Sequence, residues 1–360
     1  MNLLIVENEK EQVQLYLDVI KSFNNSNRTN IIPFPMYSLE EGKNALLTSD
    51  YDAAIIDLKL SSNSVELEGM EIVNSILENL RFPVFIVSGS IGQIENPENA
   101  LFKKRLRDSD FKIVLKELTD IYNTGIISIL GKRGTINDYL NKIFWNHLST
   151  SMDIWIDDPS RSPEEKQKSL LRYTLLHIQE YLELSEESDF EDYHPAEIYI
   201  TPTVKPRVFT GDIVVENNTG NNYIVLTPSC DLAQAKANNI LLAAVEKEDT
   251  GLLSEKINII KKRKAAPEII ADAETTLKAL INNSYSNKYH FLPKYKNISA
   301  GIINFQKINS IRVKDFKDNF TRIAAINSSF TKDIVARFSY YYSRQGSPDF
   351  DIEEIYSSLI

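Results

Sequence analysis

The sequence predicts an α/β protein in three parts: a doubly wound parallel domain of about five strands over residues 1–125, a helical connector over 126–192, and an α+β domain with a small β-barrel-like sheet over 193–360. Three observations lead there. In the first part, short β-branched apolar runs alternate five times with helical periodicity, the pattern of helices crossing over a parallel sheet. Two amphipathic patterns follow and end in the acidic, serine-bearing run Glu183 to Asp192, a solvated boundary. Past Pro195 the apolar residues fall into short runs separated by polar turns, as in antiparallel strands.

Composition bounds the function classes. A length of 360 residues with 42% hydrophobic content supports two or three soluble cores. The formal charge of -10 argues against broad attraction to nucleic acid or to an anionic membrane surface, while leaving room for a local basic face. Cys230 is the single cysteine, so an intrachain disulfide and a cysteine-cluster metal site are excluded, and a reducing cytoplasm suits the chain. No run approaches the roughly 20 apolar residues of a membrane span. Met1 leads into Leu3-Leu4-Ile5-Val6 without a basic leader, so the expectation is cytoplasmic, with no membrane partner.

Taken in order, Leu3 to Val6 give the first strand, with Glu7, Asn8 and Glu9 just past its end, before a helix carried by Val13, Tyr16, Leu17, Ile20 and Phe23. A second strand covers about Asn30 to Met36, and Ser38 opens a helix with a Ser-x-x-Glu capping box to Glu41. Ala53 to Ile56 form a short buried strand, and Asp57 sits at its C-terminal end. After Gly69 comes a helix with Ile72, Val73, Ile76 and Leu80, then a fourth strand over Phe82 to Val87 that ends at Ser88-Gly89. The charged stretch from Pro97 to Arg107 reads as a helix, and Phe111 to Leu115 as the fifth strand, ending at Lys116. In open parallel sheets ligands gather at the carboxyl ends of strands. The strand ends therefore bring Glu7, Asn8, Glu9, Asp57, Ser88 and Lys116 to one edge.

The stretches Leu-Leu-Ile-Val-Glu-Asn-Glu at 3–9, Tyr-Asp-Ala-Ala-Ile-Ile-Asp-Leu-Lys-Leu at 51–60, Glu-Gly-Met-Glu-Ile-Val at 68–73, Phe-Pro-Val-Phe-Ile-Val-Ser-Gly at 82–89 and Ile-Val-Leu-Lys at 113–116, in this order, resemble the receiver domain of two-component response regulators. That is the CheY-like, flavodoxin-like fold, and the resemblance covers residues 1–125. It implies that Asp57 accepts a phosphoryl group from a partner histidine kinase, with Mg²⁺ or Mn²⁺ held by Glu7, Asn8, Asp57 and the backbone carbonyl of Lys59. Ser88 would hydrogen-bond the phosphoryl oxygens and Lys116 would neutralise them. The chemistry is sound, because a carboxylate attacks phosphorus only when a hard cation and a basic side chain offset the repulsion between anions. The added charge would then shift the adjoining loop and the contacts made with an effector protein.

The chain departs from the family pattern in three places. Asn8 stands where a second metal-binding aspartate is usual, and Glu9 is placed to compensate. Glu117 replaces the usual proline after Lys116, and Ile113 replaces an aromatic switch residue. The chain is either an atypical phosphoacceptor, with no enzymatic activity beyond autodephosphorylation, or a degenerate receiver that serves as a docking module.

In the connector, Ile136, Tyr139, Leu140, Ile143, Phe144 and Leu148 predict one helix, and Ser162-Pro163 starts another through Leu182; the pair serves either as an intrachain linker or as a homodimer interface. The third part begins with short strands around Ile198 to Ile200, Val208, Gly211 to Val215 and Tyr223 to Thr227, loosely similar to small barrels of the MazF and PemK type. Cys230 lies near a helix start, with His290 the nearest downstream base, but a lone cysteine there is more often a small packed hydrophobe. Lys261 to Lys264, and Lys288, Lys294 and Lys296 interleaved with Tyr285, Tyr289 and Tyr295, offer a second function, binding of single-stranded nucleic acid. No helix-turn-helix, phosphate loop or zinc spacing appears. The output is therefore expected to act through protein contacts, or as a phosphate sink or relay in a bacterial stress or phage-defence cassette.

Overall fold

The apolar runs of the first third do form one parallel sheet. The computed structural model describes residues 1–58, 69–89, 98–183, 192–344 and 349–360, which fall into two units, 1–189 and 190–360. Unit 1 begins with β1 (Asn2–Val6), α1 (Lys10–Asn27), β2 (Ile32–Met36), α2 (Leu39–Thr48), β3 (Ala53–Ile56), α3 (Gly69–Asn79), β4 (Val84–Ser88), β5 (Phe102–Leu106) and α4 (Phe111–Tyr122). The strands pair in parallel in the order β2-β1-β3-β4-β5.

Because side chains alternate along a strand, the sheet buries two faces. Leu4, Val6, Ile56 and Ile86 pack under α2 and α3. Leu3, Ile5, Ile55 and Phe85 pack under α1 and α4. Each such aliphatic side chain contributes about 1.5–3 kcal/mol by leaving water. The Ser38 hydroxyl caps α2 by accepting from the backbone N–H of Glu41 at 3.2 Å, as the Ser-x-x-Glu spacing predicts.

The last two elements of this domain differ from expectation. The strand lies at Phe102–Leu106, inside the charged stretch that reads as a helix, and Phe111–Tyr122 is a helix, not a strand. β5 is an edge strand, and its Lys103, Lys104 and Arg105 are half-buried rather than enclosed on both faces. The apolar residues after Asp110 continue at helical spacing, with Phe111, Val114, Leu115 and Leu118 all buried, and the Asp110 side chain caps the helix by accepting from Lys112 N–H at 2.9 Å.

Four further helices follow: α5 (Ile126–Leu130), α6 (Thr135–Lys142), α7 (Ser149–Ile156) and α8 (Pro163–Glu183), with a π-helical turn, Ile143–Leu148, joining α6 to α7. They attach at the N-terminal edge of the sheet. There Asp50 meets Arg133 at 2.6 Å and Lys132 at 3.6 Å, and Arg81 Nε donates to the Leu130 carbonyl at 2.8 Å.

Unit 2 starts with a 3₁₀ turn, Pro195–Ile198, and continues through β6 (Tyr199–Ile200), β7 (Asp212–Glu216), β8 (Asn222–Val225), α9 (Ser229–Ala233), β9 (Asn239–Lys247), α10 (Gly251–Lys262), α11 (Pro267–Ile281), β10 (Tyr289–Leu292), β11 (Gly301–Arg312), α12 (Val313–Asn319), β12 (Phe320–Ile326), α13 (Ser328–Ser343) and α14 (Ile352–Leu359). Its seven strands form one antiparallel sheet in the order β10-β11-β9-β8-β7-β12-β6. Val208 belongs to no strand. Ile334 of α13 closes the core over Ile213, Ile224, Ile303 and Phe305. Gly211 takes a φ of +87°, and a Cβ there would lie 2.5 Å from the Thr331 hydroxyl, so both backbone and space call for glycine. Among the described residues no helix is long and apolar enough to cross a membrane.

Candidate functional site

Strand register assembles the site. Val6 lies level with Ile56, so Glu7 and Asp57 leave the sheet side by side. Ile56 lies level with Ile86, and Ser88 with Leu106, so Ser88 and Arg107 reach the same edge from β4 and β5. Neighbouring strands lie about 4.8 Å apart, so the four adjacent strand ends, β1, β3, β4 and β5, are close enough for a long side chain such as Arg107 to reach across them.

Two of these side chains are buried acids: Glu7 is 1% exposed and Asp57 2% exposed. The cation between them is Arg107. Its Nη2 lies 3.0 Å from Glu7 Oε2 and 3.0 Å from Asp57 Oδ2, while Nη1 donates to Glu9 Oε1 at 2.8 Å. The planar guanidinium thus spans three carboxylates, which a lysine ammonium on a single stem does less well. The backbone of Arg107 is fixed as well, its N–H donating to the Ser88 carbonyl at 3.2 Å.

The fit is uneven. Arg107 donates a hydrogen bond to Glu7, but its contact with Asp57 is one of charge alone, and neither Asp57 carboxylate oxygen accepts a hydrogen bond among the described residues. Burial pushes the Glu7 carboxyl up from 4.5 to about 7; the Glu9 N–H at 3.0 Å works against this, the neighbouring Asp57 charge adds to it, and Arg107 opposes it. Burial also works against the Arg107 charge, but its hydrogen bond to Glu9 and the fields of Glu7 and Asp57 outweigh that and hold its pKa above the ordinary value. The edge is acid-rich, with one guanidinium for three carboxylates, and neither oxygen of the buried Asp57 accepts a hydrogen bond among the described residues.

Glu7, Glu9, Asp57 and Ser88 stand where the sequence reading puts them, and Asn8 lies between the two glutamates, half-buried. Lys59 lies outside the described residues. Lys116 does not belong to the site: it sits on α4, its side chain 70% exposed, in an ion pair with Asp120 at 2.6 Å one turn along. Ile113, expected as the switch position, is likewise an exposed residue of α4. Arg107 is the residue of this edge that the sequence reading missed, and with the strand at Phe102–Leu106 its place follows from the sequence: it is the first residue past the strand end.

Among the described residues of unit 2, Cys230 and His290 form no pair. Cys230 is exposed in the five-residue α9, while His290 is buried on the edge strand β10 with its Nε2 3.1 Å from Asp333. Two of the three tyrosines are covered by neighbouring lysines, Lys288 lying 4.9 Å from the Tyr289 ring centre and Lys296 5.2 Å from that of Tyr295, while Tyr285 stacks on Tyr289 and stays 44% exposed. The covered ring faces are taken by the chain's own cations instead of lying open to stack bases. A cleft of about 510 Å³ is lined by Arg207, Leu232, Phe316, Lys317 and Arg322, but the Arg322 guanidinium is engaged with the Lys205 and Arg207 carbonyls and with the buried Asp212.

The order β2-β1-β3-β4-β5 with helices on both faces is the flavodoxin-like arrangement of CheY-type receivers. The N-terminal domain has that fold. Solved structures similar to this chain include a CheY-like response regulator receiver domain from Methylobacillus flagellatus, 21% identical, covering 34% of this chain and 97% of that one with a TM-score of 0.26. Another is the response regulator protein TrrA from Thermotoga maritima in complex with Mg(2+)-BeF, 12% identical, covering 33% of this chain and 97% of that one with a TM-score of 0.27. A third is the N-terminal domain of a response regulator/sensory box/GGDEF 3-domain protein from Carboxydothermus hydrogenoformans, 12% identical, covering 35% and 99% with a TM-score of 0.28. No family model and no curated protein matches the chain.

Proposed function

We propose that residues 1–125 are the phosphoacceptor domain of a response regulator, that 126–192 connect it to an output domain in 193–360, and that Asp57 takes a phosphoryl group from a partner histidine kinase. One observation carries this reading. Asp57 is a buried carboxylate at a strand's C-terminal end, has no hydrogen bond to either oxygen among the described residues, and lies 3.0 Å from a guanidinium. A structural acid so deeply buried would normally be hydrogen-bonded.

In the reaction an Asp57 oxygen forms a bond to phosphorus as the bond from phosphorus to the kinase's histidine nitrogen breaks, and that imidazole keeps the electron pair and takes up a proton. Arg107 neutralises the phosphoryl oxygens, the role that the sequence reading gives to Lys116, and the Ser88 hydroxyl, next along the edge, donates to one of them.

Mg²⁺ or Mn²⁺ fits the donor set. Among the described residues no three His, Cys, Asp or Glu side chains are grouped to hold a metal ion alone. Mg²⁺, however, is commonly bound by one or two carboxylates and keeps several waters. Glu7 and Asp57 supply the pair, with Asn8 or Glu9 at the rim. When bound, the ion would supply positive charge to the attacking carboxylate and the incoming oxygens. Phosphorylation would then alter contacts with an effector protein, or the domain would serve as a phosphate sink or relay.

Incubation of the full chain with acetyl phosphate and Mg²⁺, read by intact mass, tests this. One phosphoryl group is expected on the natural chain and none on Asp57→Asn. A second reading is favoured by Arg107 itself, which already pairs with all three acids: a docking module that is never phosphorylated. An unmodified natural chain in the same experiment would select that reading.

A further inference from the structure

We propose that the helical hairpin of unit 1 is a self-association surface, occupied by the same hairpin of a second copy of this chain. The proposal is independent of the phosphoacceptor reading. The hairpin runs from Thr135 to Ile156 through α6, the π-helical turn and α7, then returns along α8.

The two helices meet through polar aromatic groups. His147 Nε2 lies 2.8 Å from the Tyr181 hydroxyl, Tyr139 stacks on Tyr181 at 5.4 Å, and Trp155 meets Tyr173 edge-on at 5.8 Å. Aliphatic residues of α8 lie elsewhere. Leu171, Leu175 and Leu182 are 60%, 57% and 67% exposed, and Ile178 completes their row. A hairpin that packs on tyrosine and histidine while leaving leucines in water has its aliphatic face turned toward something else.

The row's spacing identifies the occupant. Residues 171, 175, 178 and 182 are separated by four, three and four positions, the 3.5-residue repeat of a coiled-coil seam, and at 100° per residue they fall within one narrow stripe of α8. The positions pair symmetrically about the midpoint of the row, so one α8 meets another with all four layers filled. Leu140 and Phe144, one turn apart on the first helix, are exposed as well. Covering these six side chains removes on the order of 500 Å² of apolar surface per copy. A standard interface of roughly 800 Å² per partner has about that apolar share. Two hairpins joined this way make a four-helix bundle.

Sedimentation velocity of the full chain across a micromolar concentration series tests the proposal. The natural chain is expected to sediment as a dimer. The paired substitution Leu171→Glu with Leu175→Glu, checked for unchanged helix content by circular dichroism, should weaken association by at least ~100-fold. Leu176→Glu, equally exposed but off the stripe, should leave the dimer intact. In a Cys230→Ser background, oxidation should link the chains when both Leu175→Cys and Ile178→Cys are present. A monomer at every concentration overturns the proposal, as does a dimer that survives the paired substitution or one that Leu176→Glu also dissolves.

Discussion

Replacing Arg107 by methionine is the sharpest probe of the site, because it keeps the apolar stem and removes only the charge. The substitution leaves Glu7 and Asp57, 1% and 2% exposed, side by side with no cation between them. Removing one member of a buried ion pair costs about 3–5 kcal/mol. Arg107 is about a quarter exposed, and solvent screening trims the loss to about 2–3 kcal/mol. The loss also depends on pH. Glu7 binds its proton more tightly folded, at about 7, than unfolded, at 4.5, so it lowers stability as pH rises between those values. Without Arg107 its pKa climbs further, so the deficit of the variant is largest near pH 8 and smallest near pH 5.5. For a unit of this size the expected drop in melting temperature at pH 8 is roughly 5–10 °C. Calorimetry of the full chain, with hydrogen exchange assigning the transition to unit 1, measures it. Millimolar Mg²⁺ should restore more stability to the variant than to the natural chain. Acetyl phosphate labelling should fall in Arg107→Met and stay unchanged in Lys116→Met. A variant that loses nothing at pH 8, or a labelling defect that follows Lys116 instead, would refute the assignment of Arg107.

Other consequences are testable in unit 2. Burial pulls the His290 imidazole down from 6.5 to about 4, against the opposing pull of Asp333, so the folded state refuses a proton that the unfolded chain takes. Stability is therefore unaffected above pH 6.5 and declines between 6.5 and about 4 by about 3 kcal/mol in all. His290→Phe should flatten that decline in acid titrations of the unit 2 transition, and an unchanged acid limb would count against it. Gly211→Ala should cost about 2 kcal/mol or more by combining a positive φ with a contact on Thr331, seen as a lower denaturation midpoint. The full chain should not be retained on single-stranded RNA or DNA even at low salt, since its net charge is -10 and Lys288 and Lys296 lie over Tyr289 and Tyr295. Salt-sensitive retention lost on Lys288→Gln would reverse that conclusion.

Three of the five strands of the first domain, β1, β3 and β4, are legible because each is central and must be apolar, as Val84 to Val87 is, and the edge strand β2 is legible because Ile32, Phe34 and Met36 keep it apolar although none of them is fully buried. The same logic explains where legibility fails. β5, the other edge, carries three cations in Phe102-Lys103-Lys104-Arg105-Leu106, and two of them, Lys103 and Arg105, pair with Glu117 and Glu98 outside the core. Phe111 to Leu115 looks like a strand because five residues show too little of a period to separate two from 3.6; Leu118, one turn farther and buried, is what marks the helix. Placing the strand end at Arg107 instead of Lys116 does more than correct a boundary. It substitutes a group that stays charged and reaches Glu7, Glu9 and Asp57 at once, so the site has a resident cation that no compartment's pH can remove. On the proposed phosphorylation of Asp57, the arriving phosphoryl oxygens would draw that guanidinium away from Glu7 and Glu9. The freed carboxylates then either take up a proton, as the raised pKa of Glu7 allows, or bind a divalent ion. On the proposed phosphorylation Arg107 would thereby couple the charge on Asp57 to the β1 loop carrying Glu7, Asn8 and Glu9, and replacing Glu9 by glutamine, which removes its charge and ion pair, should ease phosphoryl transfer instead of impeding it.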